Sequence, residues 1–268
     1  MADRLRPLWD FGDLDVSEAR FRAQLDRETT DAGRAEVLTQ LARVEGLRGD
    51  FEKCDVLLDE AEALGGAEIR VLLERGRRIR SSGQPGAGQA QFEQAYELAR
   101  AGGDDVLAVD AAHMVAIVAD MEAWTARGVE IAASSDDPGV RYWLGPLYNN
   151  VGWSRYEAGD TVGALEAFEL ALASRVRDDL RPEALAFARY GVGKALRAAG
   201  RAQEAAAMLE QCVSLEDADY HEELAEDYAV LGRADEAREQ AERALALIPA
   251  DGDAERITRL RELATGAA

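Results

Sequence analysis

The chain has 268 residues, with 31 Lys and Arg against 52 Asp and Glu, so its formal net charge is −21. Nucleic-acid-binding surfaces are normally basic and anionic membranes repel acidic chains, so we predict a partner of neither kind. Pro is scarce, at 6 residues, and helix-favouring residues dominate, which predicts an all-α fold.

Targeting and cofactor signals are absent from the sequence. The first residues, MADRLRPLWDFGD, lack the apolar core of a secretory signal, and no stretch approaches the length of a membrane span. The two cysteines, Cys54 and Cys212, are too few for a disulfide framework or a zinc site. We therefore predict a cytoplasmic protein with no cofactor and no metal.

The N-terminal region, 1–30, contains the aromatic segment LWDF and then a predicted helix, SEARFRAQLDRE. We predict that this region caps the fold, with the aromatic side chains packed back against the element that follows.

A repeat begins after this region. Glycines followed by a polar residue, and then by an alanine-like residue a few positions on, occur at Gly49, Gly83, Gly159, Gly200 and Gly232. The step from Gly49 to Gly83 is 34 residues, and that from Gly200 to Gly232 is 32. The step of 76 residues from Gly83 to Gly159 leaves room for one divergent repeat. A period near 34 indicates helix–turn–helix units.

The stretch LYNNVGWSRYEAGD shows the pattern best. Tyr148 takes a large apolar place, Val151 and Gly152 form the central pair, and Gly159 with Asp160 forms the turn; the second helix continues with Ala164, Phe168 and Ala171. This pattern resembles the tetratricopeptide repeat family. Together with LWDF, DAAHM and HEELAE, it is similar to a group of bacterial members without an assigned activity.

The resemblance implies a right-handed α-solenoid of about six repeats. We place these repeats near 35–68, 69–102, 105–138, 145–178, 186–217 and 218–251, and predict a capping helix at 253–264. The third is degenerate, because Ala119 and Asp120 stand where the glycine turn is expected. Small residues would let two helices approach closely, and stacked hairpins would bury the apolar stripe that one hairpin leaves open.

In this family the first helix of each repeat lines a concave groove. Matching those positions onto this sequence gives the candidate ligand-binding residues Arg77, Arg80, His113, Asn149, Asn150, Trp153, Tyr190, Lys194 and Arg197. Asparagine can hold a peptide backbone, tryptophan supplies flat apolar area, and the cations suit a carboxylate. The alternatives are structural: asparagines that bond neighbouring helices, a packed tryptophan, and cations paired with nearby Asp and Glu.

Catalysis has no support in the sequence. His113 and His221 are the only histidines, and no nucleophile stands reliably beside either. We predict a non-catalytic scaffold that binds a peptide or protein segment, with a carboxylate-bearing segment as the hypothesis, and that is a monomer or a weak homodimer. Two alternatives stay open: an enzyme or small-ligand sensor with a pocket around His113, Asn150 and Trp153, and a structural protein that self-associates through its ends or an exposed face around Trp124.

Overall fold

The computed structural model describes residues 3–81, 83, 85–178, 181–249 and 252–266. Every regular element in those ranges is a helix, which confirms the all-α prediction. The α-helices are α1 (Leu14–Leu25), α2 (Asp31–Arg48), α3 (Phe51–Leu64), α4 (Glu68–Ser81), α5 (Gln89–Gly102), α6 (Asp105–Val118), α7 (Met121–Ser134), α8 (Pro138–Arg141), α9 (Leu144–Glu157), α10 (Thr161–Asp178), α11 (Pro182–Ala198), α12 (Ala202–Leu209), α13 (Ala218–Val230), α14 (Ala234–Leu247) and α15 (Ala254–Thr265). Short 3-10 helices occur at Arg6–Leu8, Pro85–Gly88 and Val213–Leu215.

The helices belong to two compact units, Met1–Leu144 (unit 1) and Gly145–Ala268 (unit 2). Unit 1 contains the hairpins α2–α3, α4–α5 and α6–α7, and unit 2 contains α9–α10, α11–α12 and α13–α14. Successive hairpins within a unit also pack on each other, as α3 does on α4 and α10 does on α11. Each unit is therefore a stack of hairpins, which is the organisation of an α-solenoid.

Glycine turns close most of these hairpins. Gly49 ends α2 with a φ of 79°, a left-handed conformation that glycine adopts at little cost, and Gly159 repeats it with a φ of 80°. The next residue caps the second helix: Asp50 accepts from the Lys53 backbone N–H at 3.1 Å. The degenerate third repeat turns without glycine, because Ala119 keeps a negative φ of −137° and Asp120 caps α7.

Within the hairpins, small residues face large ones. A Cβ added to Gly152 of α9 would lie 2.5 Å from the Phe168 ring of α10, and one added to Gly193 of α11 would lie 2.9 Å from Leu209 of α12. In unit 1 the ring of Phe92 packs on Gly76 in the same way. Phe92 and Phe168 are both completely buried. A side chain at these glycines would push the two helices of the hairpin apart.

The N-terminal segment covers α2. Trp9 packs edge-on against Phe21 of α1 at 5.0 Å, and its Nε1 donates a hydrogen bond to Gln40 Oε1 at 2.9 Å. Leu5 is 1% exposed and lies in the same apolar cluster as Phe21. The first apolar face of unit 1 is therefore closed by the chain's own N-terminal residues.

Helix α15 covers the other end, in unit 2. Leu260 is completely buried against Ala241 and Ala244 of α14. Arg256 pairs with Asp219 and Glu222 of α13 at 2.5 Å each. The terminal hairpin thus has both its apolar and its charged surface covered.

Unit 2 also buries a carboxylate that is poorly compensated. Asp227 of α13 has no exposed surface, and neither of its oxygens accepts a hydrogen bond from the described residues. Its nearest cation, Arg197 Nε, is 3.4 Å away and is shared with Glu223 and Glu226. Burial raises the pKa of Asp227 to about 7. The Arg197 and Lys194 cations offset only part of this rise, and the neighbouring Glu223 and Glu226 carboxylates increase it.

Replacing Gly152 by alanine should destabilise the protein. The added methyl group would collide with Phe168, at a cost of about 1–3 kcal/mol that exceeds the gain in helix propensity. The measurement is urea unfolding followed by circular dichroism. Gly102→Ala is the control, because nothing lies within 4 Å of a Cβ there. Equal stabilities for the two variants would show that α9 and α10 are not in close contact.

Asp227→Asn should stabilise the protein at pH 8 and have little effect near pH 4. An unfolded aspartate ionises near pH 4, whereas the folded one does so at about 7, so folding opposes ionisation across that window and stability falls as the pH rises through it. Removing the charge should recover about 1–3 kcal/mol at pH 8.

The matched control for this pH experiment is Asp235→Asn, whose side chain is 96% exposed on α14. We expect that variant to follow the wild type across the pH range. An Asp227→Asn protein that is less stable than wild type at pH 8 would mean that the Arg197 ion pair outweighs the burial of the charge.

Candidate functional site

In each unit, the first helices of successive hairpins touch one another. Helix α4 contacts both α2 and α6 in unit 1, and α11 contacts α13 in unit 2. Charged side chains link them, as Arg43 of α2 does with Glu74 of α4 at 3.5 Å. We call the surface formed by α2, α4 and α6 the first-helix face of unit 1, and the surface formed by α9, α11 and α13 that of unit 2.

Three predicted site residues come together on the first-helix face of unit 1. Arg77, Arg80 and His113 all line a cavity of about 270 Å³. Arg43 and Glu74 line it as well, and its apolar walls include Ala42, Leu47, Met114 and Ile117. The cavity is thus bounded by side chains from the first helices of all three hairpins.

Arg77 is held by carboxylates of its own chain. It pairs with Glu74 at 2.5 Å and with Asp110 of α6. Burial alone would raise the pKa of Asp110, but the Arg77 and Arg43 guanidiniums hold it below its usual range. Asp110 therefore stays ionised, and Arg77 joins two first helices through its ion pairs.

His113 is neutral at physiological pH. Burial lowers the pKa of its imidazole to about 4, and the cationic Arg77, Arg43 and Arg80 reinforce this shift while Asp110 opposes it. Its ring packs against Trp143, which follows α8, with the ring centroids 5.3 Å apart. His113 is thus a neutral polar wall of the cavity rather than a cation.

Cys54 of α3 lines the same cavity as His113. Burial raises the pKa of the Cys54 thiol to about 12. A thiol that holds its proton this strongly, together with an imidazole that hardly accepts one, is the reverse of an activated cysteine–histidine pair. The two residues therefore give the cavity no nucleophile.

The first-helix face of unit 2 carries a row of aromatic rings. Trp153 of α9 lies 6.0 Å from Tyr190 of α11, which lies 5.7 Å from Tyr220 of α13. Trp153 also packs edge-on against Phe168 at 5.0 Å, so it is half-buried and serves hairpin packing. Tyr190 is half-buried as well, and burial raises the pKa of its phenol.

The two predicted asparagines lie one turn before Trp153, and both are half-buried. The Asn149 Oδ1 atom is buried and accepts no hydrogen bond from the described residues. A buried amide oxygen is normally paired, so hairpin packing leaves this polar atom unsatisfied.

The predicted cations of unit 2 are paired within the chain. Lys194 pairs with Glu223 of α13 at 2.5 Å and lies 5.6 Å from the centre of the Tyr190 ring. Arg197 pairs with Glu223 and with Glu226. This is the structural alternative for these residues, and it leaves the unit 2 face without an unpaired cation among its predicted site residues.

The predicted site residues are thus divided between the units: Arg77, Arg80 and His113 belong to unit 1, and the other six belong to unit 2. The pocket of the alternative hypothesis, around His113, Asn150 and Trp153, takes its residues from both units.

The predicted exposed face around Trp124, through which two copies were to associate, is wrong. Trp124 is only 9% exposed, and its ring packs edge-on against Tyr96 with the centroids 5.1 Å apart.

Sequence reasoning missed two residues at or beside the unit 1 cavity. It gave Cys54 no place at a site, because a position in a second helix gave no sign that this residue reaches the cavity. Trp143 stands after α8, between the predicted repeats 105–138 and 145–178, so no repeat position could assign it a role.

Two features of the described residues bear on metal binding and on membrane insertion. No group of three or more His, Cys, Asp or Glu residues among them is arranged to hold a metal ion. None of the helices described in the structure combines the length and the apolar character needed to cross a membrane.

No family model and no curated protein matches the sequence. Among solved structures, a chain of the APC/C hetero-tetramer Cut9-Hcn1 is similar, with a TM-score of 0.68 at 15% identity over 97% of this chain. This chain spans only 48% of that one. A tetratricopeptide repeat protein from Parabacteroides merdae is similar over 98% of this chain and 96% of its own, with a TM-score of 0.52 at 14% identity. Together with the stacked hairpins, these similarities show that this chain has the tetratricopeptide-repeat fold.

Proposed function

We propose that the protein is a non-catalytic scaffold that binds a peptide or protein segment on its first-helix faces. The observation that carries the proposal is the direct contact between the first helices of successive hairpins in each unit. Such contact gives a continuous surface longer than one helix pair can offer, and repeat proteins use surfaces of this kind for recognition. The assembly named for the Cut9-Hcn1 structure is consistent with a protein partner.

In unit 2 the proposed contacts are Asn149, Asn150, Trp153 and Tyr190. Asn149 is half-buried and its buried Oδ1 has no hydrogen-bond donor among the described residues, so a turn of the amide toward the surface would let it accept a backbone N–H from an extended segment. The half-buried rings of Trp153 and Tyr190 offer apolar area at a fixed position, because hairpin packing already holds them. A segment bound there would gain hydrogen bonds and apolar contact with little ordering of the scaffold.

Unit 1 offers the better cation for binding a carboxylate on the segment. Lys194 and Arg197 already have carboxylate partners, which a ligand would have to displace. Arg80 is exposed and forms no ion pair with a described residue. We therefore place the carboxylate contact of the hypothesis at Arg80.

The remaining parts of the proposal follow from charge and chemistry. The net charge of −21 disfavours nucleic acid and anionic membranes as partners. The protonated Cys54 and the neutral His113 leave the unit 1 cavity without an activated nucleophile, in keeping with a protein that is not an enzyme. A cytoplasmic location and a monomeric or weakly dimeric state belong to the same proposal.

The test captures partners with the tagged full chain from a lysate of its source cells, and maps the bound segment by cross-linking. The affinity of a synthetic copy of that segment is then measured for the wild type and for Asn149→Ala/Asn150→Ala. We expect the double variant to lose roughly tenfold or more in affinity, because two side-chain hydrogen-bonding groups are removed.

The control is Val162→Asn, which changes a residue that is 71% exposed on α10, the second helix of the same hairpin. That variant should bind as the wild type does. A segment that binds the asparagine double variant normally but loses affinity for Val162→Asn would place recognition on the second helices and overturn the proposal.

A further inference from the structure

We propose that the unit 1 cavity is a binding site for a monoanion: a single carboxylate carried on a short, branched apolar body. This site rests on the carboxylate contact proposed above for Arg80, but it does not involve Asn149 or Asn150, so the two proposals can fail separately. It is defined by Arg43, Arg80, Leu47 and Met114, of which only Arg80 was anticipated as a ligand contact.

The cavity offers two cations with little carboxylate pairing. Arg43 has one long carboxylate contact, at 3.5 Å to Glu74, its guanidinium lies 5.7 Å from the centre of the Trp9 ring, and its buried Nε donates no hydrogen bond to any described residue. Arg80 is exposed at the rim and has no carboxylate partner in the described part of the chain. A buried guanidinium N–H without an acceptor is costly, and an anion in the cavity would satisfy it.

The other two arginines of the wall are already neutralised. Arg77 binds Glu74 and Asp110, and Arg78 binds Asp55. Across the cavity, four arginines are thus matched by three carboxylates, and His113 adds no charge because burial holds its pKa at about 4. One positive charge is left uncompensated, which favours a ligand with one negative charge over a dianion such as phosphate.

Size and lining define the rest of the ligand. A volume of about 270 Å³ is slightly below the range of drug-sized ligand pockets, so the ligand is small. Beside the charged wall lie Met114, which is 6% exposed, Ile117, and Leu47, whose side chain is 54% exposed at the rim. These residues would cover a branched aliphatic group next to the carboxylate.

Two sources could supply this chemistry: a free small organic acid, or the carboxyl end of a bound segment that finishes in an aliphatic residue. The probes are therefore isocaproate, its neutral isostere isocaproamide, and the dipeptide acetyl-Ala-Leu with either a free or an amidated carboxyl end. Inorganic phosphate, in a buffer near pH 8 where it is mostly doubly charged, serves as the dianion.

The readout is the NMR signal of labelled methionine methyl groups in the full chain. The sequence has only 4 methionines, and Met114 lines the cavity whereas Met208 lies in unit 2. We expect isocaproate to shift the Met114 signal and leave the Met208 signal unchanged, and isocaproamide and phosphate to bind at least roughly tenfold more weakly.

Variants locate the anion. Arg80→Gln changes an exposed residue, so the variant should fold normally but bind isocaproate with an affinity several-fold lower. The double variant Arg43→Gln/Arg80→Gln should lose roughly tenfold or more in affinity for isocaproate. Arg20→Gln, at an exposed arginine of α1, is the matched control and should bind as the wild type does.

Three results would overturn the site: equal binding of isocaproate and isocaproamide, unchanged binding to both arginine variants, or the absence of any Met114 shift at saturating isocaproate. If acetyl-Ala-Leu with a free carboxyl end binds more tightly than isocaproate, the source is a chain terminus; if only isocaproate binds, it is a free acid. Both of these results support the monoanion site, and neither bears on segment binding at Asn149 and Asn150.

Discussion

The close approach of two helices, with a glycine on one against a large buried side chain on the other, is the contact on which the rest of the structure depends. Gly76 with Phe92, Gly152 with Phe168, and Gly193 with Leu209 fix the separation within their hairpins. That spacing also sets how hairpins stack, since a Cβ on Gly191 of the next hairpin would lie 2.6 Å from the same Phe168 ring. The first-helix faces exist because this packing brings α4 against α2 and α6, and α11 against α13.

Charge on these faces is organised within the chain. An acidic protein of net charge −21 places arginines on its first helices and pairs them with carboxylates of the next hairpin, as Arg77 does with Asp110 and Arg197 with Glu223. These pairs join the hairpins, but they also cancel most of the cationic character that a sequence reading assigns to the faces. The proposed recognition in unit 2 therefore relies on amides and aromatic rings, and the arginines with the least carboxylate pairing, Arg43 and Arg80, line the unit 1 cavity.

Local and periodic features could be read from the sequence, because they depend on residue type and spacing. The glycine turns and the glycine that faces Phe168 follow from a repeat near 34 residues, and the convergence of Arg77, Arg80 and His113 on one face follows from the resemblance to the tetratricopeptide repeat family. Side-chain pairing could not be read, because Lys194 and Glu223 are 29 residues apart and either could have faced solvent. Nor could the depressed pKa of His113, which arises from burial beneath helices whose packing is set elsewhere. Helix α8 and Trp143 interrupt the repeat period, so no repeat position was available from which to predict their role.

The contact between first helices of successive hairpins supports both proposals, and a double-mutant cycle on Arg77 and Asp110 measures it most directly. The free energy of unfolding is determined for the wild type, Arg77→Gln, Asp110→Asn and the double variant. The two side chains form a buried ion pair between α4 and α6. The sum of the stability losses of the two single variants should therefore exceed the stability loss of the double variant, by a coupling energy of about 1–3 kcal/mol. Losses that add to within about 0.5 kcal/mol would mean that the two side chains are not coupled, and the ion pair that joins α4 to α6 across the first-helix face would not exist.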